Sequence, residues 1–529
     1  MSAVTDYDVV IIGTGAGGGT LAYALAPTGL RILLIERGDY LPRERDNWET
    51  QAVFIEGKYL SNERWIDGDG GEEFTPEQNY YVGGNTKFYG AALFRLRPED
   101  FGEITHHGGI SPAWPLGYDD FEPWYAQAEQ MYTVHGRQGE DPTDGPRSGE
   151  FPFPAIVHEP RIQQLHDDLE QLGLHPSHLP LGVMLDEDEH GAPLRASACI
   201  RCDRVDGFPC LVEGKSDAEV AAVRPALEHA NVVLVTNTRV ERLETDPAGT
   251  TVTAVVATTA DGETVRYTGS VVVVACGALN SARLLLTSAN DAHPNGLANG
   301  SDQVGRNYMR HNNVAMMALS KDPNPTKLQK TLALNEWYLK GDDWDYPMGG
   351  IQMLGKSDGE QLRGKAPHFL AWGAKLVPGA TLQDVAHHAV DFWLSSEDLP
   401  RPDNRLTVDT DGTVTLRVDK HNNIEGLTRL RKKFQSMLSD LGMHDGAHER
   451  KLYLHEAMDI AATAHQAGTV RFGTDPTTSA LDVDCKAHEL DNLYVVDSSF
   501  FPSIGAVNPT LTIIANALRV GAHLGERLA

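Results

Sequence analysis

An α/β fold with a second, α+β part built on an antiparallel sheet is what the sequence predicts. Three observations carry it. A buried-strand run (Tyr7 to Ile12) leads into a glycine turn, an apolar helical stretch (Thr20 to Leu25) and a second strand-like run (Arg31 to Glu36). Between about Asp322 and Arg450 the pattern changes to alternating, aromatic-rich segments such as AVDFWLSS and RLTVDTDGTVTLRVD. The last stretch returns to a strand-like run at Leu493 to Val496 and an apolar helix from Thr510 to Leu524. Continuous apolar runs suit parallel strands covered on both faces, and alternation suits strands with one covered face.

Each element has a local reason. Val232 to Val235, Val252 to Ala257 and Val271 to Ala275 are β-branched runs between turn residues, hence strands. Cys276-Gly277 then opens a helix over Ser281 to Ser288, and Asp411-Gly412 marks a hairpin turn. The stretch 136–150, GRQGEDPTDGPRSGE, has the turn-residue content of a surface loop. The 529 residues suit two or three folding units.

Charge and composition exclude several classes. With 74 acidic against 45 basic residues, a net charge of −29 opposes nucleic acid and anionic membranes as partners. The start, MSAVTDYDVVIIG, has no basic segment followed by a long apolar one, so a cytoplasmic location is expected. Five cysteines do not make a disulfide framework. Cys199, Cys202 and Cys210 invite a zinc or redox reading, but no fourth ligand sits at zinc-ribbon spacing. A loop of reduced thiols and no metal site is the expectation.

The glycine turn carries the first chemistry. In Gly13-Thr14-Gly15-Ala16-Gly17-Gly18 the first glycine allows the tight turn. Gly15 lets backbone approach a pyrophosphate, and Gly18 allows close helix packing. Glu36, 23 residues after Gly13, stands where an acid accepts both ribose hydroxyls of a dinucleotide. Its charge disfavours a 2′-phosphate, leaving FAD and NAD open and NADP unexpected.

Further motifs narrow this. Glu36-Arg37-Gly38 extends the fingerprint, and YYVGGNTKFYGAALFRLRPEDF runs from Tyr80. VVVVACGALNSARLLLTS, VGRNYMRH from Val304, HQAGTVRFG from His465 and LYVVDSSFFPSIGAVNPTLTIIANAL from Leu493 follow. Together they resemble the glucose–methanol–choline oxidoreductase family along the whole chain. The resemblance implies a Rossmann-like FAD-binding domain from residues 1–105, 190–315 and 455–529. It implies a second α+β substrate domain, built on the antiparallel sheet, from 106–189 and 316–454.

It also implies roles. His465 and Asn508 map onto the pair the family places over the flavin, and Gly83, Gly84, Asn85, Thr86, Asp497, Pro509 and Thr510 onto its cofactor contacts. AVNPTLT resembles pyranose oxidases and bacterial sugar and glycoside 3-oxidases, which implies a sugar or glycoside substrate oxidised at carbon 3 or carbon 2. Where pyranose oxidases can carry a flavin-linked histidine, this chain has Asn85-Thr86-Lys87-Phe88, so non-covalent FAD is expected. The same framework also serves non-sugar alcohols (choline, a sterol, an aryl alcohol) and flavin-containing lyases. The electron acceptor is oxygen, a quinone or a carrier.

The residues suit that chemistry. Alcohol oxidation removes a proton from oxygen and a hydride from carbon. An imidazole, with an unperturbed pKa of about 6.5, accepts the proton near neutrality while flavin N5 faces the carbon. Asn508 does not titrate, but its amide can orient the carbinol. Helix N–H groups beginning at Pro509 and Thr510 would favour negative charge on a reduced flavin. Arg95 and Gln352 are candidate partners for sugar hydroxyls.

Overall fold

The computed structural model describes residues 5–320, 322–364, 379–443, 454–457 and 464–529. Its first sheet has seven strands. In spatial order they are Val232–Val235, Ile32–Ile35, Thr5–Ile12, Thr264–Val274, Val252–Thr259 and Thr238–Thr245, with Leu493–Val495 alongside the end of Thr264–Val274. The first four run parallel, and Leu493–Val495 joins them in parallel at Val272 to Val274. The strand cores, such as Val9 to Ile11 and Ile32 to Leu34, have no exposed surface, which is why they read as unbroken apolar runs. Helices Ala16–Leu25, Ala278–Thr287 and Thr510–Leu528 start within a few residues of the expected positions.

The second sheet is antiparallel throughout. Its order is Leu454–Ala457, Asn312–Leu319, Ala389–Ser396, Gly350–Met353, Leu332–Leu334 and Ser177–His178. Val314, Met316, Ile351, Met353, Phe392 and Leu394 turn to one face. There they pack on Leu427, Leu430, Phe434, Met437 and Leu438, the apolar stripe of the amphipathic helix Ile424–Asp440. Period-two alternation sends Asn313, Ala315, Met317, Gln352, Asp391 and Trp393 to the other face, where they line the central cavity.

A hairpin of Arg405–Val408 and Val414–Arg417 turns at Gly412, φ +87°, as its Asp-Gly signal requires. It joins Trp65–Asp67 and Glu73–Phe74 in one small sheet, tying the expected first stretch to the expected substrate stretch. Strand Asn312–Leu319 likewise runs unbroken across the expected 315/316 boundary. The 136–150 loop is anchored on the body of the protein: Arg97 pairs with Asp141 at 2.6 Å, and Arg147 pairs with Glu129 at 2.8 Å beneath Phe151. Among the described residues no helix is long and apolar enough to cross a membrane.

Candidate active site

A cavity of about 1080 Å³ lies between the two sheets. At one end the glycine turn explains itself sterically. A Cβ on Gly13, at φ +103°, would stand 2.3 Å from Ala275 O. One on Gly17 would stand 1.9 Å from Val496 O, and one on Gly18 2.1 Å from Gly13 O. Close packing therefore rests on Gly18, as expected, and on Gly17 too. A Cβ on Gly15 would meet nothing within 4 Å, because Gly15 faces the cavity. Here the cradle is shaped for a group that approaches backbone, which is the fit a pyrophosphate requires.

Glu36 follows strand Ile32–Ile35 and is buried against the turn. Its carboxylate accepts from Thr14 N at 3.2 Å, Thr14 Oγ1 at 2.5 Å and Gly38 N at 3.0 Å. Burial raises its pKa, and these hydrogen bonds partly offset the rise. The Arg37 guanidinium lies 3.9 Å over the Tyr80 ring and pairs with Glu63 at 2.9 Å. Gly83 (φ +95°) stays behind the cavity wall, its N–H donating to Thr14 Oγ1 at 3.1 Å. Gly84, Asn85 and Thr86 line the cavity. The Asn85 amide holds its own loop by accepting from Asn79 N (2.9 Å) and donating to Glu77 O (3.1 Å).

Asp497, Pro509 and Thr510 also line the cavity. Asp497 joins two distant motifs by accepting from Gly277 N at 2.9 Å, Ser281 Oγ at 2.5 Å and Ser499 N at 2.8 Å. Pro509 and Thr510 open helix Thr510–Leu528 onto the cavity, a position that suits developing negative charge.

At the other end, His465 and Asn508 meet. His465 Nε2 lies 3.4 Å from Asn508 Nδ2, and Gln352 Nε2 donates to Asn508 Oδ1 at 2.9 Å. Gln352 thus stands in the cavity, in contact with the pair. Arg95 does not, and this expectation is corrected. It is buried and absent from the lining, with its guanidinium held by Glu129 at 2.8 Å, Glu122 at 3.1 Å and Tyr118 Oη at 3.2 Å. Its neighbours Leu93, Phe94 and Leu96 fill the core, and Arg95 turns to the acidic side of helix Tyr118–Met131.

Several site residues escaped the sequence reading. His311, the last residue of VGRNYMRH, places Nδ1 3.0 Å from His465 Nδ1. Lys330 lines the cavity and pairs with Asp206. Asn313 and Trp393 line it too, and Asn313 Oδ1, Gln352 Oε1 and Trp393 Nε1 are buried with no hydrogen-bond partner among the described residues. Their signal, one face of alternating strands, becomes readable only once the cavity face is known.

Cys199, Cys202 and Cys210 are free thiols in the loop that leads to Asp203, Val205, Asp206 and Phe208 on the cavity wall. Burial pushes the Cys199 thiol up to about 11 and raises that of Cys202. The loop's clamp is Lys215, whose ammonium donates to Tyr89 O at 2.7 Å and to Val205 O and Phe208 O at 2.9 Å.

Burial first, then His311 and the Lys330 ammonium, hold the His465 imidazole well below its ordinary value. A base with a lowered pKa stays unprotonated to lower pH. The acid limb of kcat/KM is therefore expected below about pH 6.5, the unperturbed value. A pH–rate profile checks this, and an acid limb at or above 6.5 contradicts it.

Residues 8–313 and 399–517 match the two parts of the family described as GMC oxidoreductase. The chain belongs to the GMC oxidoreductase family. It is 31% identical over 547 residues to 6'''-hydroxyparomomycin C oxidase of Streptomyces lividus, covering 99% of this chain and 92% of that protein. Paromamine 6'-oxidase of Streptomyces fradiae is 30% identical over 533 residues, covering 97% and 90%. The fructose dehydrogenase large subunit of Gluconobacter japonicus is 25% identical, covering 97% and 96%. The fold matches the crystal structure of pyridoxine 4-oxidase from Mesorbium loti, with TM-score 0.65, 20% identity and 98% and 99% coverage. It matches formate oxidase at 0.67, 14% and 100% and 99%. This GMC oxidoreductase is an FAD-dependent enzyme acting on CH–OH groups.

Proposed function

We propose that this GMC oxidoreductase oxidises a hydroxyl of a sugar or glycoside, with His465 as base and Asn508 as the orienting partner. The ring secondary hydroxyl at carbon 3 or carbon 2, giving a ketone, is our reading of the position. One observation carries the substrate class. Asn313, Gln352 and Trp393 project from one sheet face to line the cavity that also holds the His465–Asn508 pair, with Gln352 in contact with Asn508. A wall of amide and indole side chains offers both hydrogen-bond donors and acceptors, which suits a polyhydroxylated ligand. The likeness of AVNPTLT to pyranose oxidases and glycoside 3-oxidases supports the ring position.

FAD, held non-covalently by the glycine turn, Glu36 and Gly84 to Thr86, supplies the acceptor for the carbinol hydride when bound. The protein's own part is proton transfer and alignment: His465 Nε2 takes the hydroxyl proton, and the Asn508 amide fixes the oxygen. Lys87, in the segment where a flavin-linked histidine can stand, is instead engaged with Asp217 at 3.0 Å and Glu219 at 2.6 Å, which supports the non-covalent reading.

A second reading places the reaction at a sugar's carbon 6. The names of the relatives paromamine 6'-oxidase and 6'''-hydroxyparomomycin C oxidase favour it. Anaerobic mixing of the holoprotein with monosaccharides, glycosides, aminoglycosides, choline and simple alcohols separates the readings. Flavin bleaching by glycosides that still carry a ring hydroxyl but are blocked at carbon 6 supports the first reading. Bleaching that requires a free carbon-6 hydroxyl supports the second, and bleaching by choline or simple alcohols alone removes both.

A further inference from the structure

We propose that His311 is a positioning residue that holds His465 in a single tautomer, proton on Nδ1 and lone pair on Nε2. The proposal rests on the reading of His465 as base, and its argument comes from a chain of contacts ending at a backbone carbonyl. His311 Nε2 lies 3.4 Å from Ile504 O, and a carbonyl only accepts. The proton of a neutral His311 is therefore on Nε2, and its Nδ1 offers only a lone pair.

His465 Nδ1, 3.0 Å from that lone pair, must then carry a hydrogen. This leaves His465 Nε2 bare, and Asn508 Nδ2, at 3.4 Å, donates to it. Asn508 Oδ1 is left to accept from Gln352 Nε2 at 2.9 Å. Every hydrogen points the same way, from Gln352 through Asn508, His465 and His311 to Ile504 O. The other tautomer would oppose two hydrogens between His465 and Asn508, two nitrogens between His465 and His311, and occupy the atom that has to take the substrate proton.

Both ends of the chain are built in. His311 has φ +63°, a left-handed backbone that is unfavourable for a non-glycine residue. The Asp398 carboxylate stabilises it by accepting from Arg310 N and His311 N, each at 3.0 Å. The adjacent acid, Glu397, accepts from Ile504 N and Gly505 N at 3.2 Å and so aims the Ile504 carbonyl. His311 is buried and stands behind His465, absent from the cavity lining. Burial lowers its pKa to about 4, which keeps it neutral at pH 7.

Neutron diffraction from crystals of the holoprotein near pD 7 reads the tautomer directly. Deuterons are expected on His465 Nδ1 and His311 Nε2 with none on His465 Nε2, and a deuteron on His465 Nε2 overturns the proposal. Two variants test the consequence. His311→Asn keeps an acceptor near the Nδ1 position and tolerates the left-handed backbone, whereas His311→Ala keeps neither.

With D-glucose and methyl β-D-glucopyranoside as anaerobic probes, His311→Ala should slow flavin bleaching about 10- to 100-fold, and His311→Asn less than about fivefold. Equal slowing in both variants would make His311 a packing residue and overturn its positioning role. If neither probe bleaches the wild-type flavin, the variants are compared with whichever compound of the panel above does, and the deuteron positions still decide this proposal.

Discussion

His465→Ala is expected to slow anaerobic flavin reduction by about 10²-fold or more, the contribution of a well-placed general base. The variant should still fold and bind FAD. His465 belongs to no hydrophobic core cluster, and its hydrogen bonds run to His311 and Asn508 rather than to the glycine turn or Glu36. Its cofactor affinity, followed by flavin fluorescence, should stay near the wild-type value while the bleaching rate collapses. Bleaching at the wild-type rate would remove His465 from the mechanism. Loss of FAD together with activity would show that the side chain supports the cofactor instead.

The second large effect separates two glycines only two residues apart. Gly15→Ala adds a methyl group that meets no protein atom within 4 Å, at φ −68°, a backbone any residue adopts. The apo fold should therefore keep its stability, and the intrusion should fall on the bound cofactor. An FAD Kd raised about 100-fold corresponds to roughly 3 kcal/mol. Gly17→Ala instead drives a methyl to 1.9 Å from Val496 O, backbone that cannot swing aside. That variant should lose stability even without cofactor, by about 1–3 kcal/mol or more, as overpacking against immovable backbone does. Thermal melting with and without FAD distinguishes the two. A Gly15→Ala protein that binds FAD normally would place the pyrophosphate elsewhere.

Much of the cofactor half was legible because its signals are local. A glycine needed at φ +103°, or where a helix touches a carbonyl, leaves a residue-type trace at a fixed spacing, and so does an acid just beyond the second strand. The segment AVDFWLSS was legible as a strand for a similar reason. Arg95 misled because a cation among apolar neighbours looks cavity-facing, and its partners Glu122 and Glu129 come from a helix whose docking no local pattern reports.

His311 was hidden for a different reason. It is one of 21 histidines, and neither its left-handed backbone nor its approach to a residue 154 positions away is written in its neighbours. Trp393 stood in an alternating segment, but alternation says that two faces differ, not which one meets the substrate, and Asn313 lay before the stretch read as alternating.

The packing of the glycine turn on Val496 also bears on biosynthesis. Gly17 packs on Val496, and Ile12 O accepts from Ala275 N just past the end of the strand Thr264–Val274 that Leu493–Val495 flanks. The cradle therefore stays open on the ribosome until Leu493 to Val496 have emerged. At about 5–20 residues per second that wait is on the order of half a minute or more. FAD should thus be captured only after Leu493 to Val496 have emerged, and a protein truncated before Leu493 should be made without it.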